Sequence, residues 1–236
     1  MLWNRLELPD KNIYFQDDDV IIYCADCRDI LPLIPASSID LVLTSPPYDD
    51  LRDYVAIKSN NLWGFEATAH GLNRVLCDGG VIVWVVGDAT IDGSESGTSF
   101  RQALYFRELG LNLHDTMIYA KKGFASPSSN RYHQCFEYMF IISKGNPKTF
   151  NPLMDRKNLN DRQWGMRYNV WIYEIGEFKV TKDEIAYDHP AIFSEELATD
   201  HILSWSNKGN ILLDPFLGSG TVTKQAKKLN RKCIGI

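Results

Sequence analysis

A chain of 236 residues, 44% of them hydrophobic, is long enough to bury a real core in one α/β domain that carries an insertion. No apolar run is long enough to span a bilayer and no signal peptide is visible, and the five cysteines (Cys24, Cys27, Cys77, Cys135, Cys233) are scattered and odd in number, as expected of a reducing cytoplasm. The net charge of −5 excludes an evenly basic nucleic-acid binder, so any such surface must come from local clustering.

In chain order, 20–24 reads as a buried strand and 28–33 as a short helix or turn closed by Pro32 and Pro35. Cys24-x-x-Cys27 has a redox or zinc spacing. No second C-x-x-C and no spaced His pair completes a site, so the pair is expected to pack at a strand end and no metal is expected. The apolar strand Ile39–Thr44 runs into Ser45-Pro46-Pro47-Tyr48. Two prolines fix φ and remove two backbone donors. A small polar residue before them and a ring after them set hydrogen-bond acceptors beside a stacking platform, which suits a flat heterocycle with an exocyclic amine. The bland alternative is a strand ending in a Pro-rich turn.

Residues 49–61 are polar and loop-like. Leu62, Phe65, Ala69, Leu72 and Leu76 have helical spacing, which Asp78-Gly79-Gly80 stops. The continuous apolar run 81–86 predicts a central strand. A helix over 99–109 ends at Gly110. Strands are expected over 113–120 and Phe136–Ser143, flanking a loop at 121–135, while 144–182 has weak periodicity. A helix over 194–206 precedes the apolar run Ile211-Leu212-Leu213.

That run opens Asp214-Pro215-Phe216-Leu217-Gly218-Ser219-Gly220-Thr221, and a helical pattern follows over 222–229. Strand, glycine loop and helix is the usual arrangement for nucleotide-like cofactors. No Lys follows Gly220, so this is not a P-loop, and the third Gly of the dinucleotide fingerprint is missing. An acid closing the strand suits a cofactor that carries an ammonium, and the glycines allow close backbone approach. Strands alternating with helices predict a doubly wound, mostly parallel sheet.

Basic residues crowd 121–170: Lys121, Lys122, Arg131, Lys144, Lys148, Arg156, Lys157, Arg162 and Arg167, against Glu137, Asp155 and Asp161. Interleaved aromatics and amides could read base edges; a solvated loop with ordinary lysines is the alternative. The span 183–200 is acidic and is not expected to face DNA.

Ser45-Pro46-Pro47-Tyr48 and Asp214 to Thr221 together resemble the signatures of the N4-cytosine/N6-adenine DNA methyltransferase family, and the order, catalytic motif first, resembles its beta group. Weaker matches are Cys24-Ala25-Asp26-Cys27 and His189-Pro190. The resemblance implies a circularly permuted S-adenosylmethionine (AdoMet)-dependent methyltransferase fold, with 1–120 as the catalytic half, 121–182 as a target-recognition insertion and 183–236 as the AdoMet-binding half. It implies catalysis by Ser45, Pro46, Pro47 and Tyr48. Asp26, Thr44, Asp214, Pro215, Phe216, Gly218, Ser219, Gly220 and Thr221 would bind AdoMet, with Asp26 at the adenine amino group and Thr221 capping the helix. Lys121, Lys122, Arg131, Arg156, Lys157, Arg162 and Arg167 would meet double-stranded DNA. Phe124, Trp63 and Asp49 are candidates for the pocket wall. Ser before the prolines resembles the N4-cytosine enzymes, whereas Asp there resembles the N6-adenine ones. RNA methylation, or a DNA-binding protein with a dead cofactor site, are the competing readings. A cognate restriction endonuclease and a homodimer are partners the resemblance leaves open.

The strand expected over 232–236 would have to lie beside 20–24 for the sheet to be continuous. The family's ribose-binding acid follows that strand, and its absence here is read as a shortened chain.

Overall fold

A computed structural model of the chain describes residues 6, 8–47, 64–123, 129–157, 164–176, 179–184, 186 and 192–236. Its strands are β1 (Ile13–Gln16), β2 (Val20–Tyr23), β3 (Ile39–Thr44), β4 (Leu76–Val86), β5 (Thr90–Ile91), β6 (Ser94–Glu95), β7 (Asn112–Lys121), β8 (Phe136–Ser143), β9 (Arg156–Lys157), β10 (Trp164–Gly165), β11 (Val170–Tyr173), β12 (Ile211–Asp214) and β13 (Lys232–Gly235). The helices are α1 (Cys27–Ile30), α2 (Phe65–Val75), α3 (Thr98–Glu108), α4 (Glu195–Trp205) and α5 (Thr221–Lys228).

Among the described residues, nine strands make one sheet in the order β1-β2-β13-β12-β3-β4-β8-β7-β11. The pairings from β2 to β4 are parallel, β8 runs against both neighbours, β11 is parallel to β7, and β1 is antiparallel to β2. The chain's last strand, β13, lies beside β2 as continuity of the sheet requires.

The middle strands are apolar on both faces because both faces are covered. Leu41, Leu43, Val81, Val83 and Val85 pack with Leu197 and Ile202 of α4 and Val222 of α5. Val42, Ile82, Trp84 and Val86 pack on the other side with Leu72 of α2 and Phe106 of α3. Each such aliphatic side chain, fully buried, contributes about 1.5–3 kcal/mol.

The structure departs from the sequence reading in four places. The helix expected over 62–76 is described from Phe65, after a left-handed Gly64 (φ 75°), and Leu76 already belongs to β4. Strand β1 has an exposed, weakly apolar pattern that gave no signal. The weakly periodic span 144–182 contains β11, which joins the main sheet beside β7; Trp171 and Tyr173 face inward while Val170 and Ile172 are exposed. Thr221 does not cap α5: the N-cap is Gly220, which has no side chain to offer, and Thr221 is the first helical residue.

From β12 the chain crosses through α5 to β13 on one side. From β3 it crosses through α2 to β4 on the other. The boundary between β12 and β3 is therefore a topological switch point, where an open α/β sheet has a crevice at the carboxyl ends of its strands.

Candidate active site and cofactor crevice

Asp214 closes β12 at that switch point. Its Oδ1 accepts from the Thr44 hydroxyl at 2.7 Å and from the Phe216 amide at 3.2 Å. Burial pushes its carboxyl up to about 6, partly offset by those two donors. The following loop folds back on β13: Leu217 N donates to Ile236 O at 3.0 Å and Gly220 N to Leu217 O at 2.9 Å. Gly218 (φ 52°) and Gly220 (φ 79°) take left-handed conformations that favour glycine. A Cβ on Gly235 would stand 2.7 Å from Leu217 Cδ1, so glycine there lets the loop lie on the strand. Pro215 is buried, Phe216 and Ser219 are half-buried, and the Ser219 and Thr221 hydroxyls lie 3.2 Å apart.

Beside this loop, Thr44 ends β3 fully buried, Pro46 is buried, and Ser45 and Pro47 are half-buried. Tyr48, Asp49, Trp63, Phe124, Arg162, His189 and Pro190 lie outside the described residues. Asp26 sits past the end of β2, as the N-cap of α1. It accepts from Arg28 N at 2.8 Å and Arg28 Nε at 2.9 Å, and the Arg28 guanidinium holds its carboxyl below the usual carboxylate range. Both side chains are about half-exposed, so this ion pair is a weak one that a ligand can displace. Phe216 meets Trp84 edge-on (centroids 6.3 Å), and the Trp84 indole N–H donates to Gln102 at 2.8 Å. The crevice thus offers a carboxylate, glycine-loop backbone, a ring and a second carboxylate, a donor set that fits an adenosyl group bearing an amino acid.

One acid at this pole escaped the sequence reading. Asp88 lies just beyond β4 and is buried. It accepts from Ser99 N at 2.8 Å, Ser99 Oγ at 2.5 Å and Ser96 Oγ at 3.1 Å. Its signal was an acid two residues past a continuous apolar strand, close to the strand-end placement that singled out Asp214.

The basic candidates separate into groups. Lys121 ends β7 and Lys122 follows it, at the same pole as the site, paired with Glu137 and Glu174. Arg131 reaches the β5–β6 hairpin, donating to Gly93 O at 2.6 Å and Thr90 Oγ1 at 3.3 Å. Arg156 lies over the Tyr168 ring at 4.7 Å and donates to Met166 O; Lys157 is its neighbour on the β9–β10 hairpin. Arg167 turns toward α4: its Nε bonds both Asp155 oxygens (2.9 and 3.0 Å), and its Nη1 bonds Asp200 (2.6 Å) and Tyr173 Oη (3.2 Å). Lys144 and Lys148 sit at the opposite pole, on carbonyls of Asn73 and Leu76 and on Asp40.

Residues 39–236 match the model of the family described as DNA methylase, the N6_N4 methyltransferases. The chain is 54% identical over 224 residues to the orphan methyltransferase M.BamHII of Bacillus amyloliquefaciens, covering 84% of this chain and 83% of that one. It is 25% identical over 264 residues to the type II methyltransferase M.SmaI of Serratia marcescens, covering 91% and 85%. Among solved structures, the PvuII DNA methyltransferase described as cytosine-N4-specific superposes with a TM-score of 0.78 at 22% identity, over 96% of this chain and 84% of that one. M1.HpyAVI in complex with SAM gives 0.64 at 24% identity, over 92% of each chain. With a permuted doubly wound sheet, a glycine loop and a Ser-Pro-Pro strand end meeting at one switch point, the chain belongs to the DNA methylase family of N4-cytosine and N6-adenine methyltransferases, whose methyl donor is AdoMet.

Proposed function

We propose that the chain methylates the exocyclic amino group of a base flipped from duplex DNA, N4 of cytosine before N6 of adenine. The observation that carries this reading is the contact between the two motifs: the last residue of the cofactor strand and the last residue before Ser45 share a 2.7 Å hydrogen bond. AdoMet, when bound, supplies an electrophilic sulfonium methyl. Asp214 and the Gly218 and Gly220 backbone would hold its amino-acid end, Phe216 would lie against the adenosine, and Asp26 would accept from the adenine amino group. The Ser45 hydroxyl and the Pro46 carbonyl accept the hydrogens of the target amine. That draws the nitrogen toward a tetrahedral shape and frees a lone pair otherwise delocalised into the ring. By the resemblance to the family, Tyr48 would stack on the flipped base. Most of the acceleration comes from positioning and from oriented dipoles.

Ser45 before the prolines supports cytosine, and so does the likeness to a fold neighbour described as cytosine-N4-specific. Mass spectrometry of nucleosides from unmethylated DNA incubated with AdoMet and the chain tests the choice. N4-methylcytosine is expected. N6-methyladenine would overturn the base assignment while keeping the crevice, and methylation of RNA alone would overturn the DNA substrate.

A further inference from the structure

Thr44 and Asp214 end adjacent strands, with Leu41 beside Leu212 and Val42 beside Leu213. Thr44 is fully buried beside Asp214. Its hydroxyl is committed to Asp214 Oδ1, the same oxygen that accepts the Phe216 amide of the cofactor loop. One carboxylate oxygen therefore fastens the loop that receives the methyl donor to the strand whose next residue is Ser45. Among the described residues no donor meets Asp214 Oδ2, which leaves that oxygen for the ammonium. The division of labour follows: Oδ2 binds, and Oδ1 sets the distance between the two half-sites.

We infer that Thr44 is a positioning residue that couples the cofactor loop to the catalytic segment, fixing Ser45 and Pro46 at the depth where the target amine meets the methyl group. The inference rests on the proposed function. It differs from a cofactor-contact role for Thr44, because a contact residue acts on AdoMet affinity, whereas a positioning residue acts on turnover after AdoMet has saturated. Valine matches threonine in volume and lacks only the hydroxyl, so Thr44→Val cuts the tie with little change in packing. A misplacement of about 1 Å costs on the order of a hundredfold in rate.

The test measures AdoMet affinity by calorimetry and methyl transfer from labelled AdoMet to unmethylated bacteriophage DNA at saturating cofactor, for wild type, Thr44→Val and Thr44→Ser. In Thr44→Val, kcat is expected to fall by about ten- to a hundredfold, well beyond the change in AdoMet Kd, and Thr44→Ser is expected to recover to within about threefold of wild type. If Thr44→Val does not fold, as judged by its melting transition, Thr44→Ala replaces it. Wild-type kcat in the hydroxyl-less variant, or a Ser variant as slow as the Val variant, would overturn the coupling alone. A wild-type chain that binds AdoMet but labels no DNA would overturn the proposed function, and the coupling with it.

Discussion

Asp214 carries a carboxylate where burial opposes its charge. Its carboxyl rises to about 6 against an ordinary value of 3.8. The resulting stabilisation is full below about pH 4, where the group is protonated folded or unfolded, and is lost as pH rises through 6. About two pKa units correspond to about 3 kcal/mol, so the ligand-free fold carries that cost at neutral pH. Asp214→Asn is therefore expected to gain stability relative to wild type between pH 4 and 7 in thermal denaturation, and to lose AdoMet affinity. Denaturation curves that stay parallel across that range would contradict the burial argument. In the wild type, AdoMet affinity is expected to fall as pH drops below about 6, because the ammonium needs the ionised carboxylate. Ser45 acts at the other half-site: Ser45→Ala should lower turnover by on the order of a hundredfold and leave AdoMet affinity near wild type. A variant that loses affinity but keeps turnover would place Ser45 in the cofactor site. At this scale the sequence was readable. Asp214 and the prolines stand out by residue type, since each chemistry demands them at a strand end. Gly220 as helix cap was not readable, because a backbone conformation, not a side chain, makes that cap.

Helix α4 and strand β11 meet through groups whose partners lie far apart in sequence. Arg167 spans Asp155, Asp200 and Tyr173, and lies over the Trp171 ring at 5.0 Å. Its charge is held by two carboxylates, with its guanidinium raised further above its usual range by Asp155 first. Arg167→Met should cost about 2 kcal/mol of stability by stranding those partners, seen as a lower urea midpoint, with little effect on DNA affinity. A variant of unchanged stability and weakened DNA binding would make Arg167 a phosphate ligand after all. On the same helix, His201 is fully buried against Trp171 (centroids 4.5 Å), its Nδ1 has no partner among the described residues, and burial lowers its pKa to about 3. The neutral ring is stable above the ordinary value of 6.5, and that stability is lost as pH falls from there toward 3. His201→Phe should flatten the acid limb of the stability curve between those values; an unchanged limb would locate the acid sensitivity elsewhere. β11 was hard to read from sequence because only two of its residues face the core and its pairing partner, β7, lies about fifty residues earlier. The long central runs of β3 and β4 were easy, because burial on both faces leaves no polar alternation to blur them.

Across the whole molecule, the net charge of −5 hides a polarity that the fold resolves. Lys121, Lys122 and Arg131 lie at the pole of the crevice, whereas Lys144 and Lys148 are spent on the far end. The Lys122–Glu174 pair is about half-exposed, so solvent screens it and a phosphate can displace the glutamate. Replacing Lys122 and Arg131 with alanine should lower the slope of log K against log salt by about 0.9 per lost phosphate contact, and replacing Lys144 and Lys148 should leave it unchanged. The reverse pattern would put DNA on the opposite pole. Sequence could list these residues but not sort them, since sorting needs the direction of β7 and β8. The adjacency of β13 and β2 was legible, because a continuous sheet needs the strand at 232–236 beside the one at 20–24; the rest of the strand order was not. By the proposed function, that adjacency builds a crevice in which Asp214 holds the methyl donor. Calorimetric titration of AdoMet into wild type and Asp214→Ala is the decisive test. Binding by the wild type and none by the variant is the expected result, and equal affinity in both would contradict it.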